Sequence, residues 1–176
     1  MGRTPVDGSR GPTEHFGWLE FCGEREDRYG YLCAHAELWQ APVRVCEVAE
    51  AIRSLVGRPV RVTSGLRIPD GSPRSQHEVG QALDIQVDGM TPRQLLRIIR
   101  TAAEQGVLPH ALRQVIAESL HGTSADMDQP MGEGSGRWVH IAVRGVDGEK
   151  WDTVASLPWA LSWDPPNAAR VYTAAP

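Results

Sequence analysis

Apolar positions along this chain repeat with two periods, and each period predicts a different element. Val45, Val48, Ala49, Ile52, Leu55 and Val56 recur at helical spacing. Pro42 opens this helix, where a missing N–H costs nothing, and Gly57 followed by Pro59 closes it. Thr91-Pro92-Arg93-Gln94 predicts a second helix start, with Thr91 as cap, Pro92 in the first turn and Gln94 reaching back. Leu95, Leu96, Ile98, Ile99, Ala102 and Ala103 continue that helix towards Gly106. Alternation marks the strands: a short one at Val60–Thr63, a second at Ala82–Val87 and a third at Trp138–Arg144. In the second, Leu83, Ile85 and Val87 share one face, and Ala82, Asp84 and Gln86 the other. The third divides the same way, with Val139, Ile141 and Val143 opposite Trp138, His140 and Ala142.

Between these elements the pattern weakens. Phe16 to Phe21 forms a first apolar cluster, and Arg25 to Tyr31 is charged and reads as a loop. Residues 107–120 read either as helix or as a strand at Gln114 to Ala117. His121 to Gly136 is a polar, glycine-containing loop, long enough to suggest a function. Asp147-Gly148 is a hairpin signal, with a returning strand at Trp151 to Val154. The expected fold is α+β: a small central antiparallel sheet with helices packed on one face. The expected organisation is a flexible arm over 1–14, one domain over 15–155 and an irregular aromatic and proline-rich tail over 156–176.

Composition narrows the classes. A chain of 176 residues with 41% hydrophobic content suits one domain with a real core. The net charge of -4 gives no electrostatic case for nucleic acid, and no apolar run approaches a membrane span. The first residues lack an apolar signal-peptide core, so synthesis in a cytoplasm without a secretory signal is expected. Cys22, Cys33 and Cys46 form no CxxC pair and read as reduced, partly buried thiols; a second metal site from Cys22, Cys33 and His35 would be irregularly spaced.

The candidate chemistry lies on the polar faces of two strands. Asp84, flanked by Leu83 and Ile85, is expensive to bury without a partner. If the second and third strands are neighbours, His140 converges on it, and His77 in the preceding loop can reach the same point. Two imidazoles and one carboxylate form a ligand set common in catalytic zinc sites, with one coordination position left open. The residues alone leave a second reading standing: a satisfied core histidine and a hydrogen-bonded buried carboxylate.

Three motifs in order carry a resemblance. Ser64-Gly65-Leu66-Arg67, then Ser75-x-His77-x-x-Gly80-x-Ala82-x-Asp84, then Trp138-Val139-His140-Ile141 resembles the zinc D-Ala-D-Ala peptidases. That family includes D-Ala-D-Ala carboxypeptidases, VanX-type dipeptidases and phage L-alanyl-D-glutamate endolysins, and shares its fold with the Hedgehog signalling domain. Phe16 to Cys22 is also similar to the family's opening segment. The resemblance implies His77, Asp84 and His140 as Zn2+ ligands, Arg67 beside the metal to hold a substrate oxygen, and Ser75 as a supporting group. One departure stands out. The family usually carries Glu or Asp three residues before the last histidine as general base, and here that residue is Arg137. Glu133, on the preceding loop, is the first candidate for a relocated base.

Two functions follow. The resemblance implies a zinc peptidase, carboxypeptidase or endopeptidase, cutting an amide in peptidoglycan stem peptides at the bacterial cell wall, with a phage origin suggested by the missing signal. The alternative is a catalytically impaired, zinc-binding structural or binding protein within a phage particle. Its arm and tail would then contact other virion proteins.

Overall fold

The computed structural model describes residues 11–70, 75–120 and 123–143, and the backbone of 161–163. Among the described residues are four α-helices, α1 (Trp18–Phe21), α2 (Glu26–Ala34), α3 (Gln40–Val56) and α4 (Pro92–Glu104). Five strands, β1 (Arg61–Ser64), β2 (Ala82–Gln86), β3 (Leu112–Ser119), β4 (Arg137–Val143) and β5 (Leu161–Trp163), form one sheet in the order β1-β2-β4-β3-β5. Every neighbouring pair is antiparallel, so the architecture is α+β, as expected.

Strand alternation gives the sheet two different faces. Leu83, Ile85, Val139, Ile141, Val143, Val115 and Ala117 join Val45, Val48, Ile52, Leu95 and Ile99 in one buried cluster. Helices α3 and α4 therefore cover the aliphatic face. Burial of side chains of this size contributes about 1.5–3 kcal/mol each, which fixes the strand register: a slip of one residue would turn the aliphatic set away from the helices. The opposite face carries Asp84 and Gln86 from β2, His140 and Trp138 from β4, and Ile116 and Glu118 from β3.

The capping at Thr91 is as the sequence predicts. Thr91 Oγ1 accepts from the Gln94 backbone N–H at 3.1 Å, and Gln94 Oε1 accepts from the Thr91 N–H at 2.9 Å. The ambiguous stretch 107–120 resolves as strand β3, longer than expected. Arg25 to Tyr31 is corrected from loop to helix over most of its length. Glu26 and Asp27 occupy the first turn of α2, where acidic groups face the helix N-terminus favourably. Leu32 is fully buried, and Tyr29 and Tyr31 pack against the core. The surrounding charge had hidden this short apolar face. The loop after β3 also holds structure, a 3-10 helix at Ser124–Asp128 that buries Met127.

Within the expected arm, Pro12 is buried, while residues 1–10 lie outside the described residues. The hairpin signal at Asp147-Gly148 and the strand at Trp151 to Val154 also lie outside them. From the C-terminal tail, the backbone of β5 pairs antiparallel with β3, with Ile116 opposite Ser162. No helix among the described residues is long and apolar enough to cross a membrane.

Candidate metal centre

The register of the two central strands sets Asp84 directly opposite His140. Both side chains leave the face that the helices do not cover. His77 arrives from a turn closed by Glu78 N–H to Ser75 O at 3.0 Å and Gly80 N–H to His77 O at 3.3 Å. Ser75 Oγ adds an acceptor for the His77 N–H at 3.3 Å. Gly80 has φ +69, and a Cβ there would meet the Pro42 ring at 3.0 Å. Glycine is therefore required both by the left-handed backbone and by the close approach.

The Ser64–Arg67 segment supports this turn from below. Gly65 lies against α1 so closely that a Cβ would sit 1.9 Å from the Phe21 carbonyl oxygen. In that position the Gly65 carbonyl accepts from His77 Nδ1 at 2.7 Å. The Leu66 N–H donates to Phe21 O, and the Arg67 N–H donates to His77 O at 3.1 Å. The arginine side chain, half exposed, places Nη2 3.4 Å from Asp84 Oδ2 and 3.2 Å from Ser64 Oγ.

His77, Asp84 and His140 are all buried, and one donor atom from each lies within 4.8 Å of the others. His140 Nδ1 is 2.9 Å from Asp84 Oδ1, and His77 Nε2 is 3.3 Å from the same oxygen. The far nitrogens decide the tautomers. His77 Nδ1 faces a carbonyl, which can only accept, so it carries the hydrogen. His140 Nε2 faces Gln76 Oε1 at 3.1 Å, which assigns its hydrogen there. Both near nitrogens then point lone pairs at a carboxylate oxygen. Three acceptors meeting in a buried space attract only if a cation, a proton or a metal ion, lies between them. Hydrogen-bonded far nitrogens are also the usual support for metal-binding histidines. The donor set thus fits a divalent cation, and two nitrogens plus one carboxylate suit zinc.

Charge at the centre follows the same logic. Burial pushes the Asp84 carboxyl up, but with protons on the near nitrogens the hydrogen bonds and charges of His140 and His77 outweigh it and hold the group well below the usual carboxylate range. Asp84 is therefore the ionised member of the set, ready to neutralise a bound cation.

The loop candidate for a base sits elsewhere. The Glu133 side chain is 94% exposed, 3.5 Å from Arg61 Nη1. Arg61 also binds Asp88 at 2.8 Å and Gln86 Oε1 at 2.9 Å, so Glu133 belongs to this surface charge cluster and the structure does not bring it to the three ligands. Arg137, in the position where the resembling family carries an acid, turns into the long loop. Its Nη2 lies 3.4 Å from Asp126 Oδ1, and its Nη1 donates to the Pro130 carbonyl at 3.4 Å. The position has become a loop anchor. Two groups were missed in the sequence. Gln76 is adjacent to His77 and carries no signal of its own. Glu118 was hidden by the unresolved choice at 107–120; read as a strand, that stretch puts Gln114, Ile116 and Glu118 on the face of His140.

The family model for Peptidase M15 matches residues 22–121. No curated protein and no solved structure matches the chain. The matched stretch includes Arg67, His77 and Asp84 and stops before His140, which the β2–β4 register brings to the centre. With more than half of its length matched, the chain belongs to the Peptidase M15 family, a family of metallopeptidases.

Proposed function

We propose that this protein is a zinc-dependent peptidase that hydrolyses an amide bond in peptidoglycan stem peptides. The observation that carries the reading is the convergence of His77 Nε2, His140 Nδ1 and Asp84 Oδ1 in a buried space beside a half-exposed guanidinium. A zinc ion held there would supply Lewis-acid polarisation of a carbonyl and of an attacking water. The chain's own residues do the rest. Gly65 O and Gln76 Oε1 fix both imidazoles in the tautomers that leave their near nitrogens free. Asp84 contributes the negative charge. Arg67, tied to Ser64 and Asp84, presents its remaining N–H groups outward, where a substrate carbonyl, its developing oxyanion or a terminal carboxylate would bind. Membership of the Peptidase M15 family supports this substrate class.

The test is zinc-dependent release of new amino termini from purified peptidoglycan. Activity that survives chelation and the His77→Ala substitution would refute the reading. One observation favours a second reading, a metal-binding module of a phage particle that does no catalysis: the family's usual acid position is occupied by Arg137, committed to Asp126. Zinc bound at one per chain with no turnover on any wall fragment would support it.

A further inference from the structure

We infer that Glu118 is the carboxylate that faces the metal centre and moves the proton during hydrolysis, in place of the acid missing at Arg137. The inference rests on the peptidase reading and assigns one more role within it. Strand β3 places Glu118 opposite Trp138 and Ile116 opposite His140. Glu118 is thus the diagonal neighbour of His140 on the same face. Diagonal Cβ atoms in antiparallel pairs lie about 7–8 Å apart, a gap that a glutamate side chain and one water molecule fill.

Glu118 is held for this work. The Trp138 indole N–H donates to its Oε2 at 2.6 Å, which fixes the side chain along the sheet. Its Oε1 takes no hydrogen bond among the described residues. The group is half-buried, and burial pushes its carboxyl up from the usual value; the charges of His140, Asp84 and His77 all reach it. A half-buried carboxylate on the same sheet face as His140, with one oxygen left open, is placed to accept and return a proton. Glu133 is exposed and lies beside Arg61 instead.

The step balances as follows. Water attacks the scissile carbonyl carbon while one of its protons passes to Glu118 Oε1. The C–N bond breaks as that proton passes from Glu118 to the departing nitrogen, regenerating the carboxylate. The second water proton leaves with the new carboxyl group, which ionises, so the products are a carboxylate and an ammonium.

Two measurements on the full-length chain, the first with zinc loaded, test this. In the first, Glu118→Gln lowers kcat on a soluble stem peptide by about 10²–10⁴-fold, with KM within about threefold and zinc content unchanged. In the second, adding zinc to the metal-free wild type shifts the Trp138 indole N–H resonance, and Glu118→Gln greatly reduces that shift. A merely structural Glu118–Trp138 bond would show as lost stability or zinc content rather than as a fall in kcat alone. Full turnover by Glu118→Gln, or its abolition by Glu133→Gln instead, overturns the inference. So does loss of zinc by Glu118→Gln, or an indole resonance indifferent to zinc. A wild type that shows the zinc-linked shift but hydrolyses nothing overturns the peptidase reading and the proton step, and leaves Glu118 as a carboxylate facing the metal.

Discussion

Replacing Gly65 with alanine tests how the centre is supported. The added Cβ would lie 1.9 Å from the Phe21 carbonyl oxygen, where Cβ contacts are essentially never below 3.0 Å. The obstacle is backbone on both sides, so α1 and the Gly65 peptide must separate by about 1 Å, the gap between those two distances. A shift of that size breaks the 2.9 Å bond from the Leu66 N–H to Phe21 O. It also pulls the Gly65 carbonyl from its 2.7 Å bond with His77 Nδ1, leaving a buried donor unpaired. Overpacking contributes about 1–3 kcal/mol and the orphaned buried group about 1–3 more. The expected loss is about 2–6 kcal/mol, a large part of a typical domain's stability. Because His77 loses the partner that sets its tautomer, zinc affinity should also fall by about 10–100-fold. Urea unfolding and competition against a zinc chelator measure the two effects. Gly30→Ala is the control: nothing lies within 4 Å of that position on α2, and the same change should stabilise by about 0.5–1 kcal/mol. A Gly65→Ala protein with wild-type stability and zinc affinity would refute the reasoning.

Other outcomes follow from single contacts. Thr91→Ala removes the cap that holds the Gln94 N–H and should cost about 1 kcal/mol in chemical denaturation, without change in zinc content. Arg67→Ala should keep the metal and lower kcat by about 10²–10³-fold; Arg67→Lys should recover only part, since an ammonium cannot span Ser64, Asp84 and a substrate oxygen together. Burial pushes the Cys22 thiol up to about 12 and Cys46 well above its usual value, so both should resist alkylation in the folded chain at pH 8. The sign of the linked stability is set by the same shifts. Below pH 9 both states keep these thiols protonated; between about 9 and 12 only the unfolded chain ionises them, so thermal stability should decline over that window.

Periodicity was legible wherever packing and local preference agreed. Helices α3 and α4 and strands β2 and β4 carry apolar residues at the spacing of their own element, and the shared grammar of β2 and β4 put Asp84 and His140 on one face, with their pairing left to the strand order. Strand β3 was harder, because Val115, Ile116 and Ala117 form a continuous buried run that fits either period. Its orientation became clear only through pairing with β4, and Glu118 emerged with it. Helix α2 was missed because its core contact rests on Leu32 and two half-buried tyrosines among charged neighbours. At the centre, ligand types and spacing were visible in sequence. Their supports were not: Gly65 acts through a backbone carbonyl and Gln76 through a contact 64 residues away. Long-range hydrogen bonds of this kind leave no local pattern.

His140 lies outside the stretch matched to the family, and a single metal site requires that it join His77 and Asp84. Zinc content after equilibrium dialysis, measured by elemental mass spectrometry on the wild type and on His140→Ala, tests this most directly. One zinc per wild-type chain is expected, and its loss from a folded His140→Ala. A wild type that retains no zinc, or a His140→Ala chain that retains it undiminished, would contradict it.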